Sequence, residues 1–413
     1  MLTILGNQTF RRLFTAQVVA LVGTGLLTVA LGLLAYQVAG SNAGAVLGTA
    51  LAIKMFAYVV VAPVISALSY RLSGRVLLVG SDAMRATTAL TLPFVDQIWQ
   101  IYVLIFVLQA ASATFTPTFQ SVIPAVLVEE QQYTRGLSLS RLAYDLESLL
   151  SPVLAAVLLS IITYNYLFLG TVAGFVASGL LVLTTTLPRV TAAPSVESFW
   201  ARTTLGSRVM FRRPVLRSLL SLNLAVAAAT ALVVVNTVVY VRDLLASNSD
   251  AQVAILLACY GAGSMAIALV TPRLLTRVGD RRVMLSGAAA IAITLAAAAV
   301  MLAIGPSVAV GWVAFALLWI ALGGATSLIN TPSARLLRYE SDAENRPSVF
   351  TAQFSLSHAC FFVTNPLAGW LGAVTGQTVA ASVLAAVATA AAVLAARTWP
   401  VTAPVAELAL AHS

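Results

Sequence analysis

Apolar runs of about 20 residues recur along the chain, and no other feature constrains the fold as strongly. A helix needs about 20 such residues to cross about 30 Å of hydrocarbon, because each residue adds about 1.5 Å to its length. The runs therefore predict twelve transmembrane helices, and hence an all-α, polytopic membrane protein. They lie at 13–37, 45–68, 77–94, 100–124, 140–162, 166–187, 216–241, 251–272, 283–304, 310–331, 350–372 and 377–397.

Composition excludes a soluble enzyme. Of the 413 residues, 60% are hydrophobic and 9% are charged, whereas soluble domains average about 45–50% and 25%. Cys259 and Cys360 both lie inside apolar runs, which predicts neither a disulfide framework nor a metal site. A membrane-embedded transferase would need clustered acids or histidines at one membrane face, and the chain has two isolated histidines. We therefore expect no enzyme activity and no bound cofactor or metal.

The net charge of +9 comes from basic residues in the short gaps between runs. All of the 23 Lys and Arg except Lys54 and Arg242 lie in or beside alternate gaps. The positive-inside rule therefore predicts that both termini are cytoplasmic. We expect an integral protein of the bacterial cytoplasmic membrane that contacts lipid and binds no nucleic acid.

An internal repeat divides the runs into two sets of six. The segments ALSYRLSGRVLL and RLLTRVGDRRVML align so that Arg71 corresponds to Arg277 and Arg75 to Arg281, each 206 residues apart. Two halves of like orientation are typical of transporters whose halves rock against each other. The predicted organisation is a bundle at 1–188, a cytoplasmic amphipathic linker at 189–215, a second bundle at 216–397 and a cytoplasmic tail at 398–413.

Several motifs resemble those of the major facilitator superfamily. The two repeated segments resemble its G-x-L-A-D-R-x-G-R-R signature, and ESLLSPVLAA (147–156) resembles its antiporter motif. Four segments resemble the macrolide and drug efflux branch of this superfamily: residues 10–37, SDAMRA (81–86), FTPTFQSVIP (115–124) and 206–220. Residues 47–63 are also similar to a subgroup that includes nickel-resistance exporters. The resemblance implies two six-helix bundles, alternating access and proton-driven drug export.

Five positions depart from the family pattern, and one of them is Ser66, which replaces the first Gly of the signature. Tyr70 and Thr276 stand where the signature has Asp, Thr24 stands where the efflux branch often has an acid, and Phe106 replaces an Arg of many proton-coupled relatives. Two alternatives therefore stay open: a divalent metal (nickel) exporter of the same fold, and a non-transporting sensor.

We predict a secondary active transporter that exports a small solute or a drug-like compound. The sequence has no nucleotide-binding motif, so the energy is expected to come from an ion gradient, with protons as the candidate coupling ion. The expected partners are a small-molecule substrate and membrane lipid, and a monomer is expected.

Charges within the predicted spans are candidates for substrate binding and coupling, because buried charge is costly and seldom idle in a bilayer. Lys54 lies near the midplane, where it disfavours a cationic substrate unless an acid neutralises it. Arg141 and Asp145 are spaced to form a pair on one helical face. Glu147 is the predicted titrating group, because desolvation favours the neutral form of a carboxyl group. The resemblance implies that the second and eleventh spans meet between the halves, which would bring His358, on the eleventh span, near Lys54.

Two further sets complete the candidate residues. The first contains the charged and glycine positions of the repeated segments, with a predicted ion pair one helical turn apart, and is expected to form a cytoplasmic gate: Arg71, Gly74, Arg75, Asp82, Arg85, Arg277, Gly279 and Arg281. The second contains prolines with small neighbours and is expected to pack helices closely: Ser151, Pro152, Ala155, Ala156, Asn365 and Pro366.

Overall fold

The computed structural model describes residues 2–58, 73–127, 129–186, 199–305, 307–341 and 346–400, which are helical almost throughout and contain no strand. The helices of the first half are α1 Gln8–Ala39, α2 Ala43–Phe56, α3 Gly74–Thr91, α4 Ile98–Val126, α5 Glu130–Leu159 and α6 Tyr164–Leu183. A shorter helix follows, α7 Phe199–Arg212. The second half has α8 Pro214–Val239, α9 Asp250–Val278, α10 Asp280–Ile304, α11 Val308–Tyr339, α12 Arg346–Val374 and α13 Gln377–Thr398.

The predicted all-α membrane fold is confirmed. Within the described ranges, eight helical segments are long and apolar enough to cross a membrane. One of them, Gln8–Phe56, contains α1 and α2 and so covers two of the predicted runs. The number of twelve spans and the domain boundaries stay predictions.

Local signals in the sequence set several helix ends. The Asn7 side chain accepts a hydrogen bond from the Phe10 amide at 3.1 Å, which caps the start of α1. Ser73 caps α3 in the same way. Between α9 and α10 the chain turns at Gly279, whose φ of +83° suits a residue without a β-carbon.

Helix packing repeats between the halves. In the first half α1 packs on α5 and α6, and α3 packs on α4 and α6. In the second half α8 packs on α12 and α13, and α10 packs on α11 and α13. The repeat seen in the sequence is therefore also present in the packing. The halves meet along two equivalent seams, α2 against α12 and α5 against α9.

Candidate transport site and gates

The two faces of the bundle are distinguished by the ends of α1 and α8. Their last residues lie together, because the Tyr36 hydroxyl near the end of α1 donates a hydrogen bond to Asp243, just beyond α8. The face where α1 and α8 begin is termed the terminal face, and the face where they end is termed the opposite face.

Lys54, Gln109 and Glu147 lie at similar depth on three helices. Lys54 and Gln109 are each eleven residues from the ends of α2 and α4 at the opposite face, and Glu147 is twelve residues from the corresponding end of α5. At about 1.5 Å per residue these positions are ~16–18 Å from that face, near the middle of a bilayer. Glu147 is deeper than the predicted span placed it, because α5 begins at Glu130 rather than near residue 140.

Among the acids whose side chains are described, Glu147 is the one that interacts with Lys54. The two side chains interact electrostatically, and Glu147 also forms a hydrogen bond with Ser151, one turn along α5. A glycine on α1 leaves the space that these two side chains of α5 occupy. A β-carbon on Gly25 of α1 would overlap the Ser151 side chain and would lie 2.9 Å from Glu147 Oε1. Lys54, Glu147 and Ser151 are termed the central charge cluster.

A small cavity lies beside the central charge cluster. The Thr24 and Thr28 hydroxyl groups donate to backbone carbonyls one turn earlier in α1, so their lone pairs are left to accept hydrogen bonds. The space lies within the first half and is barely large enough for a single water molecule. The cavity is lined by Thr24, Leu27, Thr28, Leu31, Ala50, Leu51, Lys54, Ile105 and Gln109.

The other predicted members of the transport site are placed differently. Arg141 and Asp145 lie on α5, but their side chains are outside the described part of the structure. His358 lies on the α2–α12 seam, where its ring centroid is 4.0 Å from that of Phe354 and 5.9 Å from that of Tyr58. Its Nδ1 atom is 2.7 Å from the Phe354 carbonyl oxygen. His358 therefore packs against Tyr58, which lies one turn beyond Lys54 and just past the end of α2.

The predicted ion pair between Asp82 and Arg85 is confirmed. Both residues are buried, and the Ser178 hydroxyl donates to Asp82 Oδ2 at 2.8 Å. The Arg85 guanidinium lies between two rings, 4.3 Å from the centroid of Phe115 and 4.5 Å from that of Phe175. Arg85 is eleven residues from the start of α3, ~16 Å deep. The pair thus joins α3, α4 and α6 inside the first half.

The repeated arginines occupy equivalent positions at the terminal face. Arg75 donates to the Thr185 carbonyl oxygen beyond α6, and Arg281 donates to the Trp399 carbonyl oxygen beyond α13, at 3.4 Å. Each arginine therefore binds the C-terminal end of the last helix of its own half. The helix dipole also favours a cation at that end. Arg71 lies outside the described residues, and Arg277 is exposed. A gating role for these residues and for Gly74 and Gly279 stays a prediction.

The proline motifs lie on the two helices expected to pack closely. In α5, Pro152 lies inside the helix beside Ser151, and Ala155 is buried while Ala156 is partly buried. In α12, Pro366 follows Asn365, whose carbonyl oxygen would be 2.5 Å from a β-carbon on Gly48 of α2.

A second polar cluster, at the opposite face, was not predicted. Besides the bond from Tyr36 to Asp243, Arg242 forms an ion pair with Asp250, and its guanidinium lies 5.7 Å from the centroid of the Tyr36 ring. Tyr36, Arg242, Asp243 and Asp250 are termed the latch, because they join α1 of the first half to α8 and α9 of the second. One signal was available in the sequence, since Arg242 departs from the alternation of basic gaps.

Comparisons with known proteins support the resemblance. The family profile of the Major Facilitator Superfamily matches residues 13–248 and 242–411. Macrolide efflux protein A of Streptococcus pyogenes is 25% identical over 186 residues, which is 44% of this chain and 45% of that protein. Macrolide efflux protein A of Enterococcus faecalis is 27% identical over 138 residues, 32% of this chain and 42% of that protein. The chain thus matches less than half the length of each of these relatives.

Solved structures share the fold. The nucleoside transporter NupG superposes with a TM-score of 0.74 at 14% identity, covering 95% of this chain and 100% of that one. A bacterial homologue of the human lysosomal transporter Spinster, solved inward-facing and unoccupied, gives a TM-score of 0.71 at 12% identity, covering 96% and 98%. Because the family profile matches both halves and these transporters share the arrangement of helices, the chain belongs to the Major Facilitator Superfamily and is a membrane transporter rather than an enzyme.

Proposed function

We propose that the chain exports small drug-like solutes across the bacterial cytoplasmic membrane, driven by the proton gradient. Its terminal face is proposed to be cytoplasmic, since nearly all basic residues outside the apolar runs lie in gaps on that side. Export is supported by the match to macrolide efflux proteins, and macrolides are accordingly the first solutes to test.

The central charge cluster is the observation that carries the proposal. Lys54 and Glu147 lie near mid-membrane on different helices of the first half and interact electrostatically. A carboxylate at this depth changes the charge of the site when it gains or loses a proton. The Glu147 carboxylate offsets the charge of Lys54 under this proposal, so the site accepts a cationic solute as well as a neutral one.

Proton coupling follows from competition for Glu147. In the empty carrier the negative charge of Glu147 offsets the positive charge of Lys54. Protonation of Glu147 leaves the charge of Lys54 without that offset. A solute that binds beside Lys54 therefore binds with a different free energy to the two protonation states of Glu147. Under this mechanism solute and proton occupy the first half in turn as the α2–α12 and α5–α9 seams open and close.

The test is transport by the full chain in proteoliposomes with an imposed pH gradient. The panel contains erythromycin, a lipophilic amine dye, an anionic dye and Ni²⁺. Glu147→Gln is expected to move the solute only down its own gradient, without response to pH. Lys54→Gln is expected to lose or alter transport. Asp96→Asn and Arg11→Gln remove the same charges at exposed sites and are expected to transport normally.

Three outcomes would contradict the proposal in different ways. Normal gradient-driven efflux by the Glu147→Gln variant would reject Glu147 as the coupling group. Movement of Ni²⁺ alone would replace a drug-like substrate with a metal ion. If folded and inserted protein moves none of the panel, a sensing role becomes the better explanation.

A further inference from the structure

We propose that the exposed face of α7 and the first turn of α8 bind the headgroups of anionic phospholipids. This surface consists of Arg208, Phe211, Arg212 and Arg217 and is termed the basic face. The proposal depends on the membrane location of the chain and is independent of what is transported or in which direction.

Helical spacing places the first three members of the basic face together. Arg208, Phe211 and Arg212 are related by three and four residues, so they share one side of α7. Both arginines are exposed, and Phe211 is 55% exposed. Met210 is fully buried, and α7 packs against α12. The helix therefore uses one side to contact the bundle and presents the basic face outward.

The positive charge of the basic face is uncompensated within the described part of the chain. No described residue forms an ion pair or a hydrogen bond with the guanidinium group of Arg208, Arg212 or Arg217. The sequence has no Asp or Glu from residue 198 to residue 242. By contrast, Arg335 of α11 is paired with Asp280 at 2.6 Å. The basic face is thus a set of cations that no described residue of the chain neutralises.

The position of the basic face favours a lipid as its ligand over a soluble anion. Arg217 lies in the first turn of α8, whose apolar segment Pro214–Leu244 is long enough to cross a membrane. This places the guanidinium groups at headgroup depth, where basic residues are attracted to an anionic leaflet. Phe211 lies between Arg208 and Arg212 and adds apolar surface to the basic face. The acyl chains of a lipid can cover this surface, whereas free phosphate cannot. The complementary ligand is therefore a phospholipid with a net negative headgroup.

The test is native mass spectrometry of the full chain in detergent, titrated with phosphatidylglycerol or phosphatidylcholine. Wild type is expected to retain phosphatidylglycerol in preference to phosphatidylcholine. The affinity is expected to fall about fivefold for each arginine removed in the series R208Q, R212Q and R217Q. Arg11→Gln, which removes an exposed arginine at the start of α1, is the matched control and is expected to bind like wild type.

Two further measurements keep the outcomes separate. Phe211→Ser is expected to weaken phosphatidylglycerol binding without changing the salt dependence. Inorganic phosphate at millimolar concentration is expected not to displace the lipid. Equal retention of the two lipids, an unchanged affinity in the triple arginine variant, or displacement by phosphate would each overturn the proposal. If the triple variant fails to fold, the single variants carry the same comparison.

Discussion

A β-carbon on Gly369 of α12 would overlap the carbonyl oxygen of Gly44 on α2. Gly44 lies at the start of α2 and Gly369 near the end of α12, so this contact closes the seam between the halves at the opposite face. Four residues deeper, Gly48 meets the Asn365 carbonyl oxygen in a similar way. The Trp370 indole donates to the Thr49 hydroxyl at 2.9 Å beside them. Backbone is packed against backbone here, so closure of this face depends on the absence of side chains.

Gly369→Ala is expected to hold the seam apart. Overpacking of this kind costs about 1–3 kcal/mol, and the cost falls on the closed state. We expect a lower melting temperature and faster labelling of Thr49→Cys by an impermeant thiol reagent, in a background without Cys259 and Cys360. Gly80→Ala is the control, because a β-carbon there meets nothing within 4 Å. Unchanged labelling would mean that the seam does not limit access from this face.

Tyr36→Phe is expected to weaken the latch while leaving the ring beside Arg242. The loss of one partly exposed hydrogen bond to a carboxylate is worth about 1 kcal/mol, and Asp243→Asn is expected to act through the same bond. A double-mutant cycle should therefore show coupling between the two changes in the labelling rate of the opposite face. Tyr166→Phe removes an exposed hydroxyl group near the start of α6 at the same face and should leave that rate unchanged. Additive effects in the cycle would show that the latch bond does not control opening.

Gly25→Ala is expected to push α1 away from α5 at the central charge cluster. The added methyl group would overlap Ser151 and approach Glu147 Oε1, at a cost of about 1–3 kcal/mol. Ser151→Gly removes the side chain that is struck, so the double variant should recover part of the lost thermal stability. An equal loss in the single and double variants would place the strain elsewhere.

Arg85→Met is expected to be among the most destabilising changes in the first half. It leaves the buried Asp82 carboxylate without its partner, which costs about 3–5 kcal/mol in buried pairs. Combining it with Asp82→Asn should restore most of the stability, since no charge then stays buried. Arg335→Met breaks the more exposed pair with Asp280 and should cost no more than about 1 kcal/mol. Thermal unfolding of these three variants and the wild type in one detergent compares the losses of stability.

Local patterns predicted the helices well and long-range contacts poorly. Runs of apolar residues are sufficient for a helix in lipid, and the Asp82–Arg85 pair is visible because its members are one turn apart in sequence. The rings of Phe115 and Phe175 that enclose Arg85 come from two other helices. The sequence of α3 alone therefore cannot predict that these two rings contact Arg85.

The two exceptions to the charge pattern show what a one-dimensional count leaves out. Lys54 and Arg242 depart from the alternation of basic gaps. In the fold Lys54 interacts electrostatically with Glu147, and Arg242 forms an ion pair with Asp250. Lys54 and Glu147 are 93 positions apart on different helices. The depth of Lys54 could be predicted from helix rise alone. Its partner could not be, because the rotation of α5 about its own axis is set by packing.

Pairing also decides how the carrier responds to voltage. One elementary charge moved across 100 mV changes the free energy by about 2.3 kcal/mol. The described pairs deep in the first half, Lys54 with Glu147 and Asp82 with Arg85, each sum to zero. Movement of these two described pairs therefore carries no net charge across the membrane, and under the proposed mechanism a bound solute or proton would unbalance them.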